Sequence, residues 1–188
     1  MLELWLVRHA ESEANCGLVS DDVDCALSAA GIRQAEHLRK RMSRERFDAI
    51  CSSDLKRCSQ TASIAIENSP IECDPRLREL VTGPDTQVVD LASGSIDDVV
   101  RQLSSPRQKA ESGLAFRARV NDWLSALPRS GRVLAFTHTQ VVREVLSLVL
   151  ERDARPMLSS VPNASITRLE MEKGAAKVVA FAALDHLD

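Results

Sequence analysis

A chain of 188 residues, 44% hydrophobic and 27% charged, carries enough apolar side chain for one proper core and reads as a single domain over 1–188. A formal net charge of −3, with Phe 4, Trp 2 and Tyr 0, argues against a polyanion-binding surface and a base-stacking platform, so no nucleic-acid partner is expected. No apolar run reaches spanning length, and the five cysteines, Cys16, Cys25, Cys51, Cys58 and Cys73, fit neither a CxxC nor a zinc spacing. A reducing, cytoplasmic setting without membrane contact is the expectation.

Leu4 to Val7 is an apolar run that suits a buried strand, and it stops at Arg8-His9. Glu11 to Ala26 is small, polar and acidic, as in a loop. A helix follows, with Ser28 as its N-cap and Ile32, Ala35, Leu38 and Met42 on one face; its basic end, Arg39 to Arg46, reads as solvated, and His37 as an exposed helix residue. Phe47 to Cys51 is a second strand, ending at Ser52-Ser53-Asp54, and a helix from about Leu55 to Glu67 places Arg57 in its first turn. A cation there opposes the helix dipole, whereas unpaired backbone N–H groups beside it would help it hold an anion.

Ile71-Glu72-Cys73 offers a short third strand, and Asp74 to Leu80 leads into a loop at Gly83-Pro84. The stretch from Asp85 to Ser112 has no clear period; a short helix over Ile96 to Leu103 is expected within it. Phe116, Val120, Trp123, Leu124 and Leu127 mark an amphipathic helix closed by Pro128 and Gly131. Val133 to Phe136 is a second apolar strand that also ends at a histidine, His138, with a helix from Val141 to Leu150 behind it. Ala164 to Met171 and Ala176 to Phe181 alternate as strands about a turn at Lys173-Gly174. Strands alternating with helices imply an α/β fold: a three-layer α/β/α sandwich with a mostly parallel sheet and an antiparallel edge strand.

Ligands of open α/β sheets bind beyond the carboxyl ends of the strands. His9 and His138 end two buried strands, and Arg57 opens the helix after a third. Glu79 is the strong acid candidate beside them. Two arginines and two histidines suit a phosphoryl group, whose oxygens need several charge-assisted donors. A neutral histidine could attack phosphorus while a carboxylic acid protonates the leaving alkoxide. No Asp cluster has metal-ligand spacing, so neither metal nor cofactor is expected, and the cations take over charge stabilisation.

These residues resemble a known family. Leu6 to Asn15 is similar to the opening motif of the histidine phosphatase superfamily, also called phosphoglycerate mutase-like, and the likeness continues in order through Leu27 to Ala35, Ser52 to Ala62, Asp74 to Glu79, Glu111-Ser112 with Arg119, and Thr137-His138 with Val141-Val142-Arg143. The resemblance implies that His9 is the phosphorylated nucleophile, that Arg8, Arg57 and His138 bind the phosphoryl group, and that Glu79 is the proton donor. It also puts Ser12, Asn15 and Thr139 in the substrate pocket. Three departures stand out: Ala10 where the family usually has Gly, Thr139-Gln140 where it has a Gly pair, and Thr82 to Asp85 in place of its usual segment after the acid. A metal-independent phosphomonoester hydrolase acting on a small phosphorylated substrate or a phosphoprotein is the expectation. The alternatives are a phosphoglycerate mutase-type phosphotransferase and a non-catalytic phosphate-ligand or protein-binding module.

Overall fold

Apolar side chains alternate between two buried faces in the central strands. In the computed structural model, which describes residues 1–18, 24–81, 110–151, 153, 161–172 and 175–187, β1 (Leu2–Arg8) sends Leu2, Leu4 and Leu6 to one hydrophobic cluster and Trp5 and Val7 to another. β4 (Gly131–Thr137) does the same with Val133 and Ala135 against Leu134 and Phe136. A strand covered on both faces needs an unbroken apolar run, which is why both read so clearly in the sequence.

Among the described residues, two helices cover each face. α1 (Ala29–Met42) and α2 (Lys56–Ala65) bring Ala35, Leu38, Met42, Ala62 and Ala65 to the Trp5 cluster. α3 (Gly113–Ser125) and α4 (Thr139–Val149) bring Phe116, Val120, Trp123, Val141, Val142, Val145 and Leu146 to the Leu4 cluster. With β2 (Ala49–Ser52), β3 (Glu72–Cys73), β5 (Ile166–Glu172) and β6 (Ala175–Ala183), the sheet has six strands in the order β3-β2-β4-β1-β5-β6. The first four are parallel; β5 runs antiparallel to β1, and β6 antiparallel to β5. The expected antiparallel strand is therefore a hairpin, β5-β6, and β1 sits between the parallel and antiparallel halves.

Ser28 caps α1 as expected, its Oγ accepting from the Gly31 N–H at 3.0 Å. Ile32 departs from expectation: it is 45% exposed, and Gly31 takes the inward place. A Cβ on Gly31 would lie 1.9 Å from the Glu11 carbonyl oxygen, so the loop after β1 lies directly on the α1 backbone and only glycine leaves it room. His37 also departs. It is half-buried, with Nδ1 at 3.2 Å from the His186 carbonyl oxygen. The strand at Ile71 to Cys73 shrinks to Glu72–Cys73 and is followed by a 3-10 turn over Pro75–Leu77. The helix expected over Ile96 to Leu103, the segment Thr82 to Asp85 and the turn at Lys173-Gly174 lie outside the described residues. No helix among the described residues is long and apolar enough to cross a membrane.

Candidate active site

Parallel pairing of β1 with β4 sets Arg8 opposite Thr137, so the residues that follow, His9 and His138, emerge side by side at the carboxyl ends of both strands. Their rings meet edge to face with centroids 5.1 Å apart, and both are buried. The His9 backbone is held at both ends: its N–H donates to the Thr137 carbonyl at 2.9 Å, and its carbonyl accepts from the Ala164 N–H at 3.1 Å.

The tautomer of His9 follows from its partner. Nδ1 lies 2.8 Å from the Ala10 carbonyl oxygen, which can only accept, so the proton resides on Nδ1 and the lone pair on Nε2. Ala10 is itself fixed, its N–H donating to Thr61 Oγ1 at 3.0 Å while that hydroxyl donates to the Arg57 carbonyl at 2.6 Å. Ala10 does not have a positive φ, so its methyl group costs the loop no backbone strain. Burial, with Arg57 and then Arg8 adding repulsion, drives the His9 pKa down to about 3, so the ring is neutral across the ordinary pH range.

His138 is neutral for the same reasons: burial first, then His9, Arg57 and Arg8 hold its pKa well below the usual histidine value. It caps α4 without a side-chain capping bond. Its Nε2 is 3.0 Å from Ser53 Oγ. That hydroxyl oxygen also accepts from the Leu55 N–H at 3.3 Å and keeps a second lone pair, so Ser53 can serve Nε2 as donor or as acceptor. Cys58 fills the other side, Sγ at 3.3 Å from Nε2, and is an inert thiol whose pKa burial pushes up.

The cations come from two elements. Arg8 ends β1, with Nη1 donating to the Val161 carbonyl at 2.6 Å. Arg57 stands in the first turn of α2 and is buried, only 3% exposed. The charges of both oppose protonation of His9 and His138 and favour the ionised form of Glu79. Glu79 is half-buried in the segment after the 3-10 turn, and its Oε1 accepts from the Leu80 and Gln140 N–H groups at 3.0 and 3.1 Å. Gln140 lies in the first turn of α4, so the carboxylate meets the positive end of that helix. Burial nevertheless dominates these donors and both arginines, and the Glu79 pKa is raised above the ordinary carboxylate value.

Thr139 begins α4 between His138 and Gln140, and its helical position requires no glycine. Ser12 and Asn15 serve each other: the Ser12 N–H donates to Asn15 Oδ1 at 3.2 Å and the Asn15 N–H to Ser12 Oγ at 3.3 Å. Ser12 is buried and Asn15 is exposed at the rim. Asn163 went unnoticed in the sequence. Its Nδ2 donates to the His9 carbonyl at 3.1 Å and to Asn15 Oδ1 at 3.0 Å, tying the loop after β1 to the start of β5. Thr61 and Ser53 were visible inside a motif, but their partners are about 50 to 85 residues away along the chain, beyond any local pattern.

The family model described as histidine phosphatase superfamily (branch 1) matches residues 4–183. The chain is 30% identical over 196 residues to an adenosylcobalamin/alpha-ribazole phosphatase of Salmonella typhimurium, covering 92% of this chain and 87% of that protein. Against the protein of the same name from Escherichia coli, the match of 31% identity spans 69% of this chain and 58% of the relative. A 2,3-bisphosphoglycerate-dependent phosphoglycerate mutase of Thermoplasma acidophilum is 28% identical, covering 97% and 93%. Among solved structures, the phosphoglycerate mutase of Bacillus anthracis superposes with a TM-score of 0.78 at 20% identity, covering 99% of this chain and 95% of that one. The phosphoserine phosphatase of Entamoeba histolytica gives 0.74 at 20% identity over the whole of both chains, a likeness of fold.

Proposed function

The chain belongs to the histidine phosphatase superfamily, and we propose that within it the protein is a metal-independent phosphomonoester hydrolase working through a phosphohistidine at His9. The observation that carries this reading is the neutral His9 ring, whose Nδ1 proton is committed to Ala10 and whose Nε2 lone pair is left for attack beside two guanidinium groups.

The chemistry runs in two halves. Arg8, Arg57 and the His138 imidazole hold the phosphoryl oxygens, the two guanidinium groups balancing their charge as it redistributes. Nε2 of His9 forms a bond to phosphorus as the bond from phosphorus to the ester oxygen breaks, and protonated Glu79 gives its proton to the departing alkoxide. Glu79, now a carboxylate, then takes a proton from water as that water bonds to phosphorus and the bond from phosphorus to His9 Nε2 breaks. Inorganic phosphate leaves, and His9 is neutral again. Thr139 and Asn15 border the substrate, and Ser12 shapes the turn that carries Asn15. A small phosphorylated compound is the substrate class, as it is for the relatives named above. The five free cysteines suit a reducing cytoplasm.

The test is a panel of phosphomonoesters assayed for released phosphate, with His9→Ala as control and rapid acid-free quenching to trap a phosphoenzyme. Hydrolysis that His9→Ala abolishes, with label on His9 of the parent, is the expected result. Hydrolysis undiminished in His9→Ala would overturn it. Relatives named as phosphoglycerate mutases favour one competing reading. Efficient isomerisation of 3-phosphoglycerate in the presence of a bisphosphoglycerate primer, with little free phosphate, would replace the hydrolase by that mutase.

A further inference from the structure

We infer that Arg119 is the positioning residue of the proton donor: its guanidinium gathers the carbonyl groups of Arg76, Arg78 and Glu79 and holds the acid-bearing segment against α3. The inference rests on the reading of Glu79 as general acid.

Every N–H of this guanidinium is spent. Nε and one Nη2 proton form a two-bonded fork with the Glu111 carboxylate, both at 2.7 Å. Nη1 donates to the Arg76 and Arg78 carbonyls, each at 2.8 Å, and the second Nη2 proton goes to the Glu79 carbonyl at 3.1 Å. The Glu111 N–H in turn donates to the Val81 carbonyl at 2.9 Å. The carbonyls of residues 76, 78 and 79 thus meet one guanidinium, and that of residue 81 the backbone of its partner Glu111. The pair is well shielded, the Arg119 and Glu111 side chains being 20% and 19% exposed, and the guanidinium rests on the Phe116 ring at 4.7 Å.

Geometry decides what the clamp controls. The Glu79 side chain reaches the α4 N-terminus only while its own backbone stays in place, and Arg119 grips that backbone at the very residue. On the opposite side Arg78 pairs with Asp54, which leads into α2. The two tethers stretch the segment between the helices on either side of the sheet. Lysine could not replace Arg119. Three donors on a flexible stem cannot serve two carboxylate oxygens and three carbonyls in one plane.

All the Arg119 hydrogen bonds go to Glu111 and to the carbonyls of Arg76, Arg78 and Glu79, so its loss should separate the two halves of the chemistry. An alkyl phosphate expels a strongly basic alkoxide and needs the proton of Glu79; 2,4-dinitrophenyl phosphate expels a phenolate that leaves without it. In Arg119→Ala and Arg119→Lys, kcat on glycerol phosphate is expected to fall by about 10²-fold, the lower end of a general acid's contribution. KM should hold, kcat on the dinitrophenyl ester should change far less, and the alkaline limb of the glycerol phosphate profile should shift. Equal losses on both esters, or none on either, would make Arg119 a purely structural residue and overturn the inference. If both variants fold poorly, Glu111→Gln weakens the same fork while keeping one acceptor oxygen, and the same ratio decides. His9→Ala measured alongside separates the premises: activity surviving that change would sink the phosphohistidine reading, whereas its loss together with equal Arg119 effects would sink only the positioning role.

Discussion

The two halves of the site are built differently. Arg8, His9, Arg57 and His138 stand at strand ends and helix starts, where the ladder of β1 and β4 and the first turn of α2 fix their backbones. Glu79 stands on a stretch with neither, held by side chains reaching in from α3 and by the backbone of α4. In the proposed mechanism, the part that grips a phosphoryl group is anchored in the core, and the part that meets the leaving group hangs on a few polar tethers. One phosphoryl group is like another, while leaving groups differ, so the anchored half supports the common chemistry and the tethered half can vary with substrate.

Substitutions should fall out along that divide. Arg57→Ala removes a buried cation from the anchored half, and kcat/KM is expected to drop by about 10²–10³-fold on every ester, whatever its leaving group. A loss confined to poor leaving groups would contradict the division. Glu79→Gln sharpens it from the other side. The parent should be active between two limbs: rate is lost as pH falls through the His9 pKa, near 3, because the nucleophile becomes protonated, and lost again as pH rises through the raised Glu79 pKa, because the donor is ionised. In Glu79→Gln the alkaline limb should vanish, with about 10²-fold less activity on alkyl phosphates. An alkaline limb that persists in glycerol phosphate hydrolysis would assign it to another group.

Two smaller effects probe the anchored half through stability. Gly31→Ala pushes a methyl group into the Glu11 carbonyl, so about 1–3 kcal/mol of unfolding free energy should be lost in denaturant titration, with a drop in kcat from the displaced loop after His9. An unchanged midpoint would show that the loop gives way freely. His9 itself destabilises the fold in acid. Its folded pKa is depressed from 6.5 to about 3, so the unfolded chain binds the extra proton between those values, and stability falls as pH drops through that window. At pH 5 the difference amounts to about 2 kcal/mol, and His9→Asn should recover it relative to its own value at pH 7.5. Parallel pH curves for parent and variant would refute this account.

Legibility in the sequence follows the same line as the architecture. Strands buried on both faces must be continuously apolar, so β1 and β4 announced themselves and their polar endings stood out as Arg8-His9 and His138. Ser28 before the Ala35–Leu38–Met42 face marked α1 by short-range rules of capping and period. Ile32 misled because the helical period records which face is apolar but not what lies against it; the loop at Glu11 pressed on Gly31 and turned the buried stripe aside. His37 misled likewise, since His186 reaches it from the far end of the chain.

Residue types and local spacing thus determined the α/β class, the elements and the five ionisable groups to watch, because covering a strand or capping a helix is settled within a few neighbouring residues. Only the tertiary structure decided that Arg57 and His138 are buried, that Ser53 meets the His138 ring, and that Arg119 and Asn163 bond the loops around the site. Those outcomes depend on hydrogen bonds and desolvation between groups about 40 to 150 residues apart, and nothing short of the folded chain brings such groups together.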